Sequence, residues 1–76
     1  MTDVELLVEA GRALYGDRWQ TDMAAALGLS DARRIRQWLT GDRPTPPGIW
    51  KDLLTLIDER NQAMLNVRAQ IASKDS

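Results

Sequence analysis

The stretch from Gln20 to Leu39, QTDMAAALGLSDARRIRQWL, decides the fold. It reads as two short helices joined by a tight turn. Trp19, Met23, Ala24 and Leu27 recur at helical spacing, so the first helix carries one apolar stripe. Asp17 followed three positions later by Gln20 is a capping-box pattern, set just after the breaker Gly16. Gly28 stands where a chain leaving a helix needs left-handed backbone, which glycine adopts without a Cβ clash. Leu29 is an apolar plug after the turn. Ser30 and Asp31 are both competent N-caps for the next helix.

In the second helix Ile35, Trp38 and Leu39 sit at i, i+3 and i+4 and face a core, with Ala32 beside them. At ~100° per residue, Arg33, Gln37 and Thr40 then point directly away, with Arg34 and Arg36 on the shoulders. Arginine can grip guanine bidentately and glutamine can do the same for adenine, so this outward face suits a DNA groove. Arginines on a helix face are more often merely solvated. The Gly28 turn and the two-helix periodicity tip the reading toward DNA.

The unit at residues 17–41 resembles the helix-turn-helix of small bacterial and phage transcriptional regulators of the lambda-repressor and Cro-like type. Five residues carry the likeness: Gln20 opening the first helix, Ala24 at the close inter-helix contact, Gly28 in the turn, and Ile35 and Trp38 inside the second helix. The segment GDRPTPPGIW, Gly41 to Trp50, is similar to the link to the next helix in such proteins, and the resemblance spans roughly residues 4 to 57. It implies a regulator that binds double-stranded DNA sequence-specifically, acting as a homodimer on an inverted-repeat operator, with repression as the economical mode. Arg33 and Gln37 are then the expected base readers. Arg34 and Arg36, with Gln20 and Thr21, are expected on phosphate, and Ser30, Thr40 and Arg43 complete the candidate contacts. One departure bears on this assignment. Ile35 lies one residue further from Gly28 than the family pattern sets it, so the turn is longer and Arg34 can trade places with Arg33.

The flanking sequence predicts an all-α chain of four helices, near 3–15, 18–27, 31–40 and 47–72. Thr2 with Glu5 forms a second capping box, and Val4, Leu7, Val8 and Leu14 give the first helix its apolar side up to Tyr15 and Gly16. Gly11 inside it costs ~1 kcal/mol of helix propensity relative to alanine and so marks close packing. After Gly41, Asp42-Arg-Pro-Thr-Pro-Pro is non-helical, because each residue ahead of a proline is pushed to extended geometry. Arg43 on that stiff link is as readily a plain loop arginine as a phosphate contact. Pro47 suits the first position of the last helix.

That helix is longer than the preceding three can cover. Trp50, Leu53, Ile57, Arg60, Met64, Val67 and Ile71 form a heptad seam with one polar position, and Ile49, Leu54, Leu56 and Leu65 widen it. Its second half either folds back on its own domain or pairs with a second copy. The absence of any further helix to cover it favours pairing through Arg60, Met64, Leu65, Val67 and Ile71. The polar residues 73–76 are expected to fray.

Composition bounds the rest. Seventy-six residues are read as one domain, without cysteine or histidine, and the formal net charge is −1. No disulfide or cysteine-type zinc core is possible. There is no apolar run of membrane length, and the acidic start MTDVE does not read as a signal peptide, so a cytoplasmic protein is expected. Arg33, Arg34, Arg36 and Arg43 against Asp42 make one local basic patch on an otherwise acidic chain. No nucleophile–base pair, glycine-rich phosphate loop or metal-ligand cluster is legible. An enzyme, a cofactor, a metal site and a small-molecule ligand are therefore not expected. The competing reading is a protein-interaction module, an antitoxin or adaptor, that works through the long apolar helix.

Overall fold

The computed structural model describes residues 1–74 of the chain. Among them are four helices and no strand: α1 (Asp3–Tyr15), α2 (Trp19–Ala26), α3 (Arg33–Thr40) and α4 (Gly48–Lys74). No helix of the described residues is long and apolar enough to cross a membrane.

The first helix starts and stops where its sequence says. Thr2 Oγ1 accepts a 3.1 Å bond from the Glu5 backbone N–H and donates at 3.0 Å to the Glu5 carboxylate. Gly16 ends α1 with φ 82°, its N–H reaching the Arg12 carbonyl at 2.9 Å. One feature corrects the reading of α2. The Asp17–Gln20 capping box does not form: Arg18 is at the N-cap, and no side chain caps the helix. Trp19 has to reach α1, and the turn through Gly16 leaves Arg18, not Asp17, at the boundary.

At the other end of α2 the turn glycine does what its chemistry allows. Gly28 has φ 77°. Its N–H bonds the Ala25 carbonyl at 3.1 Å, and the Leu29 N–H bonds the Ala24 carbonyl at 2.9 Å. This is a Schellman pair, and the half-buried Leu29 packs on the core as its apolar clasp. The turn runs from residue 27 to residue 32, so α3 begins at Arg33 and not at residue 31. Ala32 stands at the N-cap, and Asp31 just ahead of it supplies the side-chain acceptor, its Oδ1 accepting from the Arg33 N–H at 2.8 Å.

The core consists of Leu7, Leu14, Trp19, Met23, Ala24, Ala32, Ile35, Trp38, Ile49 and Leu53, with Leu7, Met23 and Ile35 wholly enclosed. It holds no buried polar or charged side chain among the described residues. α1 lies against α2 and α4, and α2 against α3. Gly11 sits where α1 meets the indole of Trp19.

α4 begins at Gly48, one residue after Pro47, and continues through Lys74, so residues 73 and 74 are helical where fraying was expected. Residues 75 and 76 lie outside the described residues. Only Ile49 and Leu53 of α4 are buried, with Trp50, Leu56 and Ile57 half-buried. From Asp58 to Lys74 every residue is exposed, so the second half does not fold back on its own domain. The molecule is accordingly elongated, 53 × 25 × 20 Å.

Arg60 marks where α4 leaves the domain. The heptad pattern placed it in the pairing seam. Its guanidinium instead donates through Nη2 to the Leu14 carbonyl and lies 5.6 Å from the centroid of the Tyr15 ring. A cation at the carbonyl end of α1 also meets the negative pole of that helix.

Candidate nucleic-acid interface

α3 is only eight residues long, and its two faces differ sharply. Ile35 and Trp38 are buried, whereas Arg33, Arg34 and Arg36 are all exposed. Burial of Ile35 and Trp38 fixes the rotation of the helix about its axis, and that rotation decides where the arginines go.

The turn, the start of α3 and the link after it enclose a polar concavity of about 500 Å³. It is lined by Gly28, Leu29, Ser30, Asp31, Arg33, Arg34, Gln37 and Arg43. Five of the expected contact residues are thus brought together: Ser30, Arg33, Arg34, Gln37 and Arg43. Arg36 and Thr40 are exposed on α3 but do not line it, and neither do Gln20 and Thr21 at the start of α2. Thr40 is turned to its own backbone, its hydroxyl donating to the Gln37 carbonyl at 3.3 Å. Gln37 is half-buried, more covered than a position pointing directly away from the core implies.

Arg43 reaches this cluster because the link turns back on α3. Gly41 is left-handed, with φ 83° and ψ 5°. Two residues on, the Arg43 N–H bonds the Gln37 carbonyl at 3.2 Å. A long cationic side chain is thereby held beside the exit of α3, from a backbone that the following prolines stiffen.

Asp31 was read only as a possible cap, and it is also a wall of the concavity. Its carboxylate has one oxygen on the Arg33 N–H and stands among three arginines. The local balance is therefore less basic than the arginine count implies. Its spacing ahead of α3 was the only signal in the sequence, and that signal pointed equally to Ser30.

The concavity offers guanidinium donors, one hydroxyl, one amide and one carboxylate. It holds no nucleophile–base pair, and no group of acidic, histidine or cysteine residues among the described residues can hold a metal. No protein-family description matches this chain, and neither curated proteins nor solved structures include a significant match.

Proposed function

We propose that this chain is a sequence-specific regulator that binds double-stranded DNA through α3 and acts as a homodimer joined through the second half of α4. The observation that carries the reading is the convergence of Arg33, Arg34, Gln37 and Arg43 on one concavity at the mouth of a short, rotationally fixed helix. An α-helix with its side chains is ~10–12 Å across and the major groove is ~12 Å wide, so α3 can enter it. Arg33 and Gln37 then read base edges. Arg34 and Arg43 grip the backbone, and Arg36 follows it from the other shoulder. Repression by steric occlusion of an inverted-repeat operator needs nothing beyond these parts.

A net charge of −1 limits non-specific attraction, because the repelling acidic residues lie on the same small body. Specificity then rests on few contacts per copy. One such helix reads too little sequence for a genome, and two copies about one helical turn apart, ~34 Å, read a palindrome.

A competing reading, an antitoxin-like or adaptor module, draws on the bare apolar flank of α4, where Met64, Leu65, Val67 and Ile71 are 51–64% exposed. Selection of bound duplexes from a random pool separates the two. The regulator reading expects an enriched inverted repeat that is lost with Arg33→Ala. A pool that stays random after repeated selection would remove it in favour of the interaction module.

A further inference from the structure

A second feature of α4 bears on how two copies would meet. Beside α1, its first half forms an apolar groove of about 250 Å³, lined by Leu6, Ala10, Trp50, Leu53, Leu54 and Ile57. Leu6 is 44% and Leu54 62% exposed, so the groove is open along its length. Ala10 is short enough to let a helix approach its floor. The groove continues into the bare half of α4, because positions 50, 54, 57, 61, 64, 68 and 71 follow steps of four and three. That line reads Trp, Leu, Ile, Asn, Met, Arg, Ile, apolar at both ends and polar at Asn61 and Arg68.

Resting on the pairing proposed above, we infer that two copies pair with their α4 helices antiparallel, the bare half of each lying in the α1–α4 groove of the other. Three considerations fix this direction. First, a stable interface buries ~800 Å² on each partner, and four large apolar side chains on the bare half fall well short of that alone. The interface has to draw on the groove. Second, the groove is walled by α1, and the first half of a second α4 carries its own α1 at the same place. Only the stretch beyond Arg60, where every described residue is exposed, is slim enough to enter. Third, parallel pairing sets Arg68 directly against the other copy's Arg68 within the bare half of the seam. Antiparallel pairing sets it near the other copy's Leu54 and Trp50, where its stem covers apolar surface and its guanidinium reaches water.

The arrangement is self-complementary about a two-fold axis near Asn61. The bare half's Met64 then meets the other copy's Ile57, and its Ile71 meets the other copy's Trp50. A polar Asn near the axis is the kind of residue that fixes register between paired helices. Leu6 of α1 becomes part of the interface, although it lies far in sequence from α4.

Because the chain has no cysteine, single cysteines at exposed positions report the geometry directly. Purified full chain carrying Asn61→Cys should oxidise to a covalent dimer. Leu54→Cys alone should not, since antiparallel pairing separates its two copies by ~20 Å, far beyond disulfide reach. An equimolar mixture of Leu54→Cys and Arg68→Cys should cross-link. Leu6→Asp, tested by sedimentation, should weaken self-association about tenfold or more while leaving the far-ultraviolet spectrum helical. Cross-linking of Leu54→Cys to itself as readily as Asn61→Cys would overturn the antiparallel geometry and leave pairing standing. Unchanged association of Leu6→Asp would overturn the use of the groove. A wild-type chain that sediments as a monomer at high concentration would overturn the pairing reading itself.

Discussion

Gly11 lies flat against the indole of Trp19, so closely that a Cβ at position 11 would come within 2.1 Å of Cε3 and 2.2 Å of Cδ2. Helix propensity alone says that alanine at this position stabilises α1 by ~1 kcal/mol. The contact says the opposite and is the larger effect, because Trp19 is only 3% exposed and cannot swing away. Gly11→Ala should therefore lower stability by about 2 kcal/mol net, from overpacking of the kind that costs ~1–3 kcal/mol or more. Thermal or denaturant unfolding checks it, and an unchanged or raised melting point would contradict it.

Trp38 anchors α3 to the core at 3% exposure beside the wholly buried Ile35. Trp38→Ala should cost ~3–5 kcal/mol, a large part of the stability of so small a domain. The variant should unfold at far lower urea concentration, or be unfolded without it. An unchanged urea midpoint would mean that α3 does not depend on this side chain for its place.

Asp31 has two roles that charge separates from geometry. Asp31→Ala removes the oxygen that accepts from the Arg33 N–H and should cost ~0.5–2 kcal/mol of stability. Asp31→Asn keeps an acceptor and removes the charge among the arginines. It should fold nearly as well as wild type while binding random-sequence DNA more tightly, and binding titrations at two salt concentrations measure this. Equal loss of stability in both variants would show that the charge, not the acceptor, matters to α3.

Arg33 and Arg36 lie on the same short helix, yet only Arg33 lines the concavity. Arg33→Ala should cost ~1–3 kcal/mol on the best duplex and relax preference at one base position. Arg36→Ala should weaken all duplexes alike and reduce the salt slope by about one. If both variants lose affinity equally on selected and random DNA, the assignment of base reader and phosphate contact is wrong.

Met64 and Val67 are 64% and 51% exposed and contribute nothing to the core of their own chain. Met64→Asp together with Val67→Asp should leave the domain folded and cooperative while shifting sedimentation to monomer. Operator affinity should then fall about 100-fold or more, as binding by two linked units becomes binding by one. A variant that remains dimeric would exclude this flank from the interface.

How far the chain could be read in advance depended on whether the deciding interaction was local. α1 was legible end to end, because the Thr2–Glu5 cap and the Gly16 stop lie within one turn of what they control. So was the inward face of α3, whose spacing alone fixes Ile35 and Trp38. The start of α2 was not legible: the Asp17–Gln20 pattern is a local signal, overruled by the distant contact of Trp19 with Gly11. The same holds in the candidate site. Arg33, Arg34 and Gln37 could be grouped by helical angle. The arrival of Arg43 depends on the left-handed Gly41 and a bond from the Arg43 N–H to the Gln37 carbonyl. Leu6 had no place in the apolar stripe read for α1, since the side that would need it faces α4. Arg60 looked like a seam residue because heptad spacing cannot see the Leu14 carbonyl, 46 residues away.

That hold on α1 makes the rest of α4 a lever with its fulcrum at residue 60. Beyond Arg60 the helix runs ~21 Å to Lys74 with every residue exposed. A tilt of ~10° at the fulcrum moves the far end by about 4 Å, close to the 3.4 Å step between base pairs along one strand. If two copies pair as proposed, the grip of Arg60 on Leu14 and Tyr15 would act as a ruler. Under the proposed function, loosening it would leave each half-site contact intact and blur the distance at which two half-sites are accepted together.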